Sequence, residues 1–315
     1  MERTTSSRVK ITVVIPNFNG RALLQKNLPS LFRALEGFKS EVIVVDDASI
    51  DDSVGVIRRE FPSVVLLTSP RNAGFSASCN RGIFSAKGEY ACIANSDVTF
   101  SEDYFRVALE AIERDQLFAV KGLIVNHKGD PAQPTNFDTT AILFSQRGFL
   151  RFNKAEDHRE GMMSYGRGCR FALLGCCFVA TTLDLKSLGG FDTIFSPFYW
   201  EDSDLPLRAL KRGLSIRYVP DAVVFHEQGS TINSHRGKRR RKLVSDRNKF
   251  LFSWRYFDTA TDWSSHIGFV MIALLTRWLK LEFGYYIAFG WALAVAFLGS
   301  SPIRAGDARK VTPRS

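Results

Sequence analysis

Where the chain reads PFYWEDSDLPLR, at residues 197–208, an aromatic run stops at three carboxylates, Glu201, Asp202 and Asp204. An aspartate near its ordinary pKa of about 3.9 is ionised at neutral pH and can take a proton from an attacking hydroxyl, provided it is held in place. The residues that follow have helical spacing, with Leu205, Ala209 and Leu210 on one face, Pro206 in the first turn and Gly213 at the end. The acids therefore stand at a helix N-terminus, which favours their charged form. Acids there also cap helices without doing chemistry, and spacing alone does not separate the two roles.

Other polar residues follow short apolar runs: Pro16 and Asn19 after ITVVI, Asp46 and Asp47 after EVIVV, Arg71 and Asn72 after VVLLT, and Asn95, Ser96 and Asp97 after YACIA. His226 ends another run, DAVVFH. Asp97 and His226 are the donor types that hold a divalent cation. An aspartate before a helix starting near Ser101 also fits a capping turn, and a lone strand-end histidine also fits a structural role.

These runs predict strands at 11–16, 41–49, 64–68 and 90–94, alternating with helices over 23–35, 51–61 and 76–87, the first with Pro29 as a point of kinking. Apolar strands between amphipathic helices predict an α/β fold with a mostly parallel sheet covered on both faces and right-handed crossovers. One crevice at the carboxyl ends of the strands collects the polar residues. Neither G-x-G-x-x-G nor G-x-x-x-x-G-K-[ST] follows a strand, which argues against dinucleotide redox chemistry and phosphate-loop hydrolysis.

The 315 residues are 45% hydrophobic with 26 Phe, enough for one large core or two coupled subdomains, and neither a disordered chain nor a coiled coil. A formal charge of +10 favours anionic company. The five cysteines are odd in number, lack C-x-x-C spacing and lie in apolar surroundings, so they read as reduced core residues of a cytoplasmic protein. MERTTSSRVK has no apolar segment, which predicts the absence of a cleavable signal peptide.

VVIPNFNG, EVIVVDDASIDDS, RNAGFSASCNRG, GEYACIANSDV, GGFD, FYWEDSDLPLR and VVFHEQGST, in this order over roughly residues 10–255, together resemble glycosyltransferase family 2, particularly bacterial enzymes of the rhamnosyltransferase type. The resemblance implies a GT-A fold, Rossmann-like with a C-terminal hydrophobic helical tail here, an inverting hexosyl transfer, a nucleotide-sugar donor and Mg²⁺ or Mn²⁺. It makes Asp202 the catalytic base with Glu201 its neighbour, either of which could take the proton. Asp97 is implied as a metal ligand in the position of a DxD motif, where this chain reads Asn95, Ser96, Asp97 and keeps only the last carboxylate. His226, in an HxxGxS-like segment continuing through Glu227, Gln228, Gly229 and Ser230, is implied on the metal or diphosphate. Asp47 is assigned to the uracil or thymine edge, with Pro16 and Asn19 lining the pocket, and Asp46 either on the ribose or capping the turn. Asn72, Asn80 and Arg81 complete the donor side, with Arg81 on the diphosphate or in a surface salt bridge. On the acceptor side, Trp200 of the run Phe198, Tyr199, Trp200 offers a face for a sugar, while Gly189 and Gly190 ahead of Phe191 and Asp192 suggest a tight turn close to it.

The expected divisions are 1–110, the nucleotide-sugar half; 111–255, the acceptor and catalytic half; and 256–315, hydrophobic terminal helices. GCRFALLGCCFVATT, residues 168–182, is too short to span a bilayer and reads as core. HRGKRRRK at 235–242 precedes a long apolar tail over about 267–299 that Arg277, Lys280 and Glu282 interrupt. Neither half reaches the roughly 20 apolar residues of a comfortable span. Two interfacial helices, one tilted span over Phe283–Leu298, or a helix pair packed on the protein's own core or at a homodimer interface all fit the tail. The basic run favours anionic lipid at the cytoplasmic face of the inner membrane, the protein being peripheral or tail-anchored. The expected acceptor is then a lipid-linked or growing polysaccharide of the cell envelope. A noncatalytic sugar-nucleotide-binding scaffold is the alternative, and a nucleic-acid-binding protein a weaker one, since an acidic crevice repels phosphates and no known nucleic-acid module is present.

Overall fold

The computed structural model describes residues 9–126, 140–154, 160–226 and 237–298. The first half alternates as the apolar runs predict: β1 (Ile11–Asn17), α1 (Arg21–Ala34), β2 (Ser40–Asp46), α2 (Ser53–Glu60), β3 (Val65–Thr68), α3 (Phe75–Ser85) and β4 (Tyr90–Ala94). Then follow β5 (Val98–Phe100), α4 (Tyr104–Asp115), β6 (Ala119–Asn126), β7 (Thr140–Gln146), β8 (Phe149–Lys154), β9 (Gly161–Met162), β10 (Arg170–Ala172), β11 (Cys177–Thr181), α5 (Thr182–Ser187), α6 (Glu201–Lys211) and β12 (Ile216–His226). Three helices close the described chain: α7 (Lys238–Tyr256), α8 (Ala260–Thr276) and α9 (Phe283–Leu298).

The main sheet runs β3-β2-β1-β4-β11-β6-β12-β5, with β9 also on β12. Strands β3, β2, β1, β4, β6 and β12 point one way, and β11, β5 and β9 run against them. The sheet crosses the expected division at 110 without a break, because β4 bonds to β11. Successive side chains of a strand point to opposite faces, and the two cores follow from this. Val13 and Val44 pack with Leu24, Leu28 and Leu31 of α1 and with α4, whereas Val14 and Ile43 pack with Cys79 and Ile83 of α3 and Leu205 of α6. The second face admits α3 closely only because Gly82 has no side chain: a Cβ there would lie 2.2 Å from Val14 Cγ1.

Helix α1 continues through Pro29. The stretch 168–182 divides between the sheets, with β10 in a three-stranded sheet β10-β7-β8 and β11 in the main one. A third core joins that small sheet to α7, α8 and α9 through Phe149, Phe171, Phe250, Val270, Tyr285 and Ala292. Among the described residues no helix is long and apolar enough to cross a membrane. Helix α9, with 16 residues, reaches about 24 Å at 1.5 Å per residue, short of a hydrocarbon core about 30 Å thick. The tilted span over Phe283–Leu298 is thereby corrected: the segment packs lengthwise on α7.

Candidate active site

The carboxyl ends of the adjacent parallel strands β1, β2 and β4 lie side by side, where the crevice is expected. Asp46 is buried and accepts from Asn17 Nδ2 at 3.0 Å and from the Ser49 backbone N–H at 3.0 Å, so it sets the turn after β2. Asp47, also buried, accepts the N–H groups of Ala73 and Gly74 at 2.9 and 2.8 Å, and Asn72 Nδ2 donates to its backbone carbonyl at 3.3 Å. A carboxylate has about four acceptor positions, so two backbone amides leave room for a ligand N–H. Asn19, at φ 53°, ties the loops after β1 and β2 by accepting from Ile50 N–H and donating its own N–H to Ser49 Oγ. Pro16 precedes it on β1, opposite Val45.

Asn95, Ser96 and Asp97 form the turn between β4 and β5, so Asp97 does not cap a helix: a strand follows it. Asp97 is 6% exposed and its Oδ1 lies 3.1 Å from His226 Nε2, at the end of β12. That antiparallel pairing of β5 and β12, with His226 opposite Val98, is what brings together two residues 129 positions apart. The pair fits a divalent cation in donor chemistry and in spacing, since two ligands each about 2.1 Å from an octahedral ion lie roughly 3 Å from one another. Among the described residues no third His, Cys, Asp or Glu converges there, so water and diphosphate oxygens would complete the shell. Glu227, Gln228, Gly229 and Ser230 lie outside the described residues.

The three acids fall in the first turn of α6, which begins at Glu201. Glu201 is 7% exposed and its Oε2 has no hydrogen-bond partner among the described residues. Burial and the neighbouring Asp202 push it up to about 8, against the pull of backbone N–H groups. Asp202 is half-buried, with Ser203 Oγ 3.2 Å from its Oδ1. Asp204 is wholly buried; burial alone would raise it, but Arg208 and Arg255 outweigh that and hold it below the usual carboxylate range. Arg208 Nε donates to Asp204 at 2.7 Å and its Nη groups donate to the carbonyls of Leu188 and Gly190, while Arg255 bridges Asp204 and Asp192 at 2.7 and 2.6 Å.

Two contacts join this turn to the strand-end crevice. Leu174 N–H donates to the Asp202 carbonyl and Cys176 accepts from Asn95 N–H, so both motifs grip one segment at points no more than about 7 Å apart along the chain. Gly74, at φ +92°, lies against Pro197, where a Cβ would come within 3.0 Å of its backbone, and Phe75 N–H donates to the Pro197 carbonyl. The loop held by Asp47 thus seats the loop leading into the acids. Glu201 and Asp47 both add to the burial that raises the Cys79 thiol, as groups flanking the same helix α3 must.

Several residues of the expected site are engaged by the protein itself. Phe191 is 1% exposed, its ring against Phe75 and Phe178, and Gly190 is buried at φ +67° with Asn80 Oδ1 where a Cβ would stand, so both are packed into the turn. Asn80 spends its amide on the Phe191 backbone, at 2.7 and 2.8 Å, and is a brace between α3 and the 189–191 turn. Arg81 holds the end of β3 through the Thr68 carbonyl at 2.6 Å and Ser69 Oγ. Trp200 is half-buried between Phe152 and Phe252, with the remainder of its surface open. Sequence reasoning missed the clamp from α7. Asn248, with no exposed surface, donates to the carbonyls of Phe195, Phe198 and Tyr199, and Arg247 donates to that of Ser196. The available signal was a set of polar residues embedded in the aromatic stretch RNKFLFSWRY.

The sequence model described as Glycosyl transferase family 2 matches residues 12–178. Among curated relatives, the poly(ribitol-phosphate) beta-glucosyltransferase of Bacillus spizizenii is 34% identical over 94 residues, 28% of this chain and 15% of that protein. The chain spans no more than about half the length of the first curated relatives it matches. Among solved structures, Staphylococcus aureus TarS 1–349 in complex with UDP-GlcNAc superposes with a TM-score of 0.56 at 18% identity, over 90% of this chain and 81% of that one. The mannosyltransferase PcManGT of Pyrobaculum calidifontis, in complex with GDP-Man and Mn²⁺, gives 0.53 at 18% identity, over 94% and 77%.

Proposed function

The chain belongs to glycosyl transferase family 2, and from that premise we propose that it moves a sugar, with inversion, from a nucleoside diphosphate donor to a lipid-linked or polysaccharide acceptor of the cell envelope. The observation that carries the reading is the contrast between two consecutive acids. Two carboxyls whose surroundings push their protonation apart take different roles. Glu201, buried and held near 8, keeps its proton at neutral pH. Asp202, half-buried at the mouth of the crevice, is left to receive the proton of the acceptor hydroxyl as its oxygen attacks the anomeric carbon opposite the leaving group.

Asp47 accepts the imide N–H of a pyrimidine base, which favours a dTDP-sugar such as dTDP-rhamnose or a UDP-sugar. Asp97 and His226 would hold the cation, and Mg²⁺ or Mn²⁺ bound there would supply positive charge to the diphosphate leaving group. Asn95 contributes a carbonyl where a second carboxylate would add charge, so the cation is held weakly without nucleotide. The presence of UDP-GlcNAc in one solved relative of the fold, and of GDP-Man with Mn²⁺ in another, supports a donor of this class. The similarity to a poly(ribitol-phosphate) beta-glucosyltransferase supports an envelope acceptor, met at the cytoplasmic face of the membrane.

The Asn95 substitution also supports a second reading, a noncatalytic sugar-nucleotide binder. Calorimetry with UDP, dTDP and GDP, each with and without Mn²⁺, tests the donor site: cation-dependent binding of one pyrimidine diphosphate is expected. Asp202→Asn is expected to lower turnover by about 10²- to 10⁴-fold while leaving that binding unchanged. Unchanged turnover overturns the base assignment, and no turnover by the native chain with any donor bound leaves the noncatalytic reading.

A further inference from the structure

Thirteen of the nineteen large apolar side chains exposed among the described residues lie within the 36 residues from Trp263 to Leu298, on α8, α9 and the short turn joining them. The other six are scattered singly over the rest of the surface, which is ordinary for a soluble fold. A concentration of this kind marks a surface made for something other than water. No Asp, Glu, Lys or Arg occurs from Trp263 to Thr276 or from Phe283 to Leu298. The inner side of the same helices is already used, with Val270, Ala273, Tyr285 and Ala292 buried against α7 and its neighbours. The outer side keeps Ile272 at 63%, Leu275 at 67% and Trp278 at 58% exposed.

Charge selects the occupant. Arg247 of α7 stacks its guanidinium 4.3 Å from the ring of Trp291, on the apolar pair. Lys238, Arg239 and Arg240, all exposed in the first turn of α7, lie seven to nine residues back, about 10–14 Å along the helix. A lipid interface stacks these two layers in this way: an apolar zone entered to a depth of about 5–10 Å, with anionic headgroups alongside it. Among the described residues no helix is able to cross, so a lipid contact by these helices would be in the plane of the interface.

We propose that the outer face of α8 and α9, with the basic first turn of α7 beside it, docks this protein onto an anionic phospholipid surface. The purpose of the docking rests on the membrane-borne acceptor proposed above; the contact itself is measured without any acceptor. The full chain is floated with phosphatidylcholine vesicles that contain or lack phosphatidylglycerol, at low and high salt, and UDP binding is recorded on the same samples. Binding at least tenfold tighter to the anionic vesicles, weakened by salt, is expected. The double substitution Ile272→Glu with Leu275→Glu, at exposed positions, is expected to lower it by more than tenfold with UDP binding unchanged. Replacing Lys238, Arg239 and Arg240 by Gln is expected to remove most of the salt sensitivity. Equal binding of native and Glu-substituted chains to vesicles, or a dimer in sedimentation that the Glu pair dissociates while native vesicle binding is absent, overturns the proposal. Absence of vesicle binding by the native chain with UDP binding intact sinks the docking alone; native vesicle binding with no nucleotide bound sinks the transferase reading alone.

Discussion

Glu201 and Asp202 are neighbours in the chain with opposite relations to water. One is enclosed with an unpartnered oxygen, and the other is half-buried. Because burial and Asp202 raise Glu201 from an ordinary 4.5 to about 8, the folded chain keeps a proton that the unfolded chain releases. The stabilising contribution of that bound proton is complete below about pH 4.5 and is lost as pH rises through 8. Urea midpoints measured from pH 4.5 to 9 are therefore expected to fall more steeply for the native protein than for Glu201→Gln, by a few kcal/mol in all at roughly 1.4 kcal/mol per unit. The same variant is expected to keep its turnover within about threefold below pH 8, since an amide resembles the neutral acid, whereas Asp202→Asn loses the orders of magnitude typical of a missing general base. Equal pH slopes would show Glu201 charged in the fold. The acidic run was legible in the sequence as the start of a helix, but which of its carboxyls is enclosed depends on packing.

At the scale of elements, α6 is held by parts of the chain that its own sequence does not announce. Arg255 reaches Asp204 and Asp192 from 51 and 63 residues away, and Asn248 grips three carbonyls of the loop before the acids. Arg255→Met leaves two carboxylates buried with less compensation, an arrangement that costs about 3–5 kcal/mol when one partner of a buried pair is removed. Urea denaturation is expected to read a loss of that size, and turnover is expected to fall with it while nucleotide affinity, which depends on the other side of the crevice, changes little. Periodicity located β1 through β4 and the helices between them, because each buries a regular stripe. The clamp was illegible for a physical reason: its polar residues satisfy backbone carbonyls, whose positions no local pattern encodes. The bracing role of Asn80 on the Phe191 backbone was illegible for the same reason, since a polar residue near a turn serves equally to build the turn.

Across the whole molecule, one sheet carries both sides of the site, and its reversed strands do the joining: β11 connects the two halves, and β5 sets Asp97 beside His226. If that pair holds the cation, Asp97→Asn is expected to abolish the Mn²⁺ dependence of UDP binding, and chelation is expected to reduce native affinity to the level of the variant; calorimetry reads both. A variant that responds to Mn²⁺ as the native chain does would move the cation elsewhere. The tail shows how far composition reaches at this scale. Its two apolar halves and the basic run before them were plain in the sequence, but which face was free depended on what α7 covered. Helix α7 has a further consequence. Its 19 residues are one rod, about 28 Å long, with the exposed basic turn at one end and the grip on the acid-bearing loop from its middle to its far end. Anchored at the first end, such a rod works as a ruler. It sets the altitude of Asp202 above whatever surface the basic turn touches, so acceptors would be sorted by how far their reactive hydroxyl stands from that surface, before any side chain inspects the sugar.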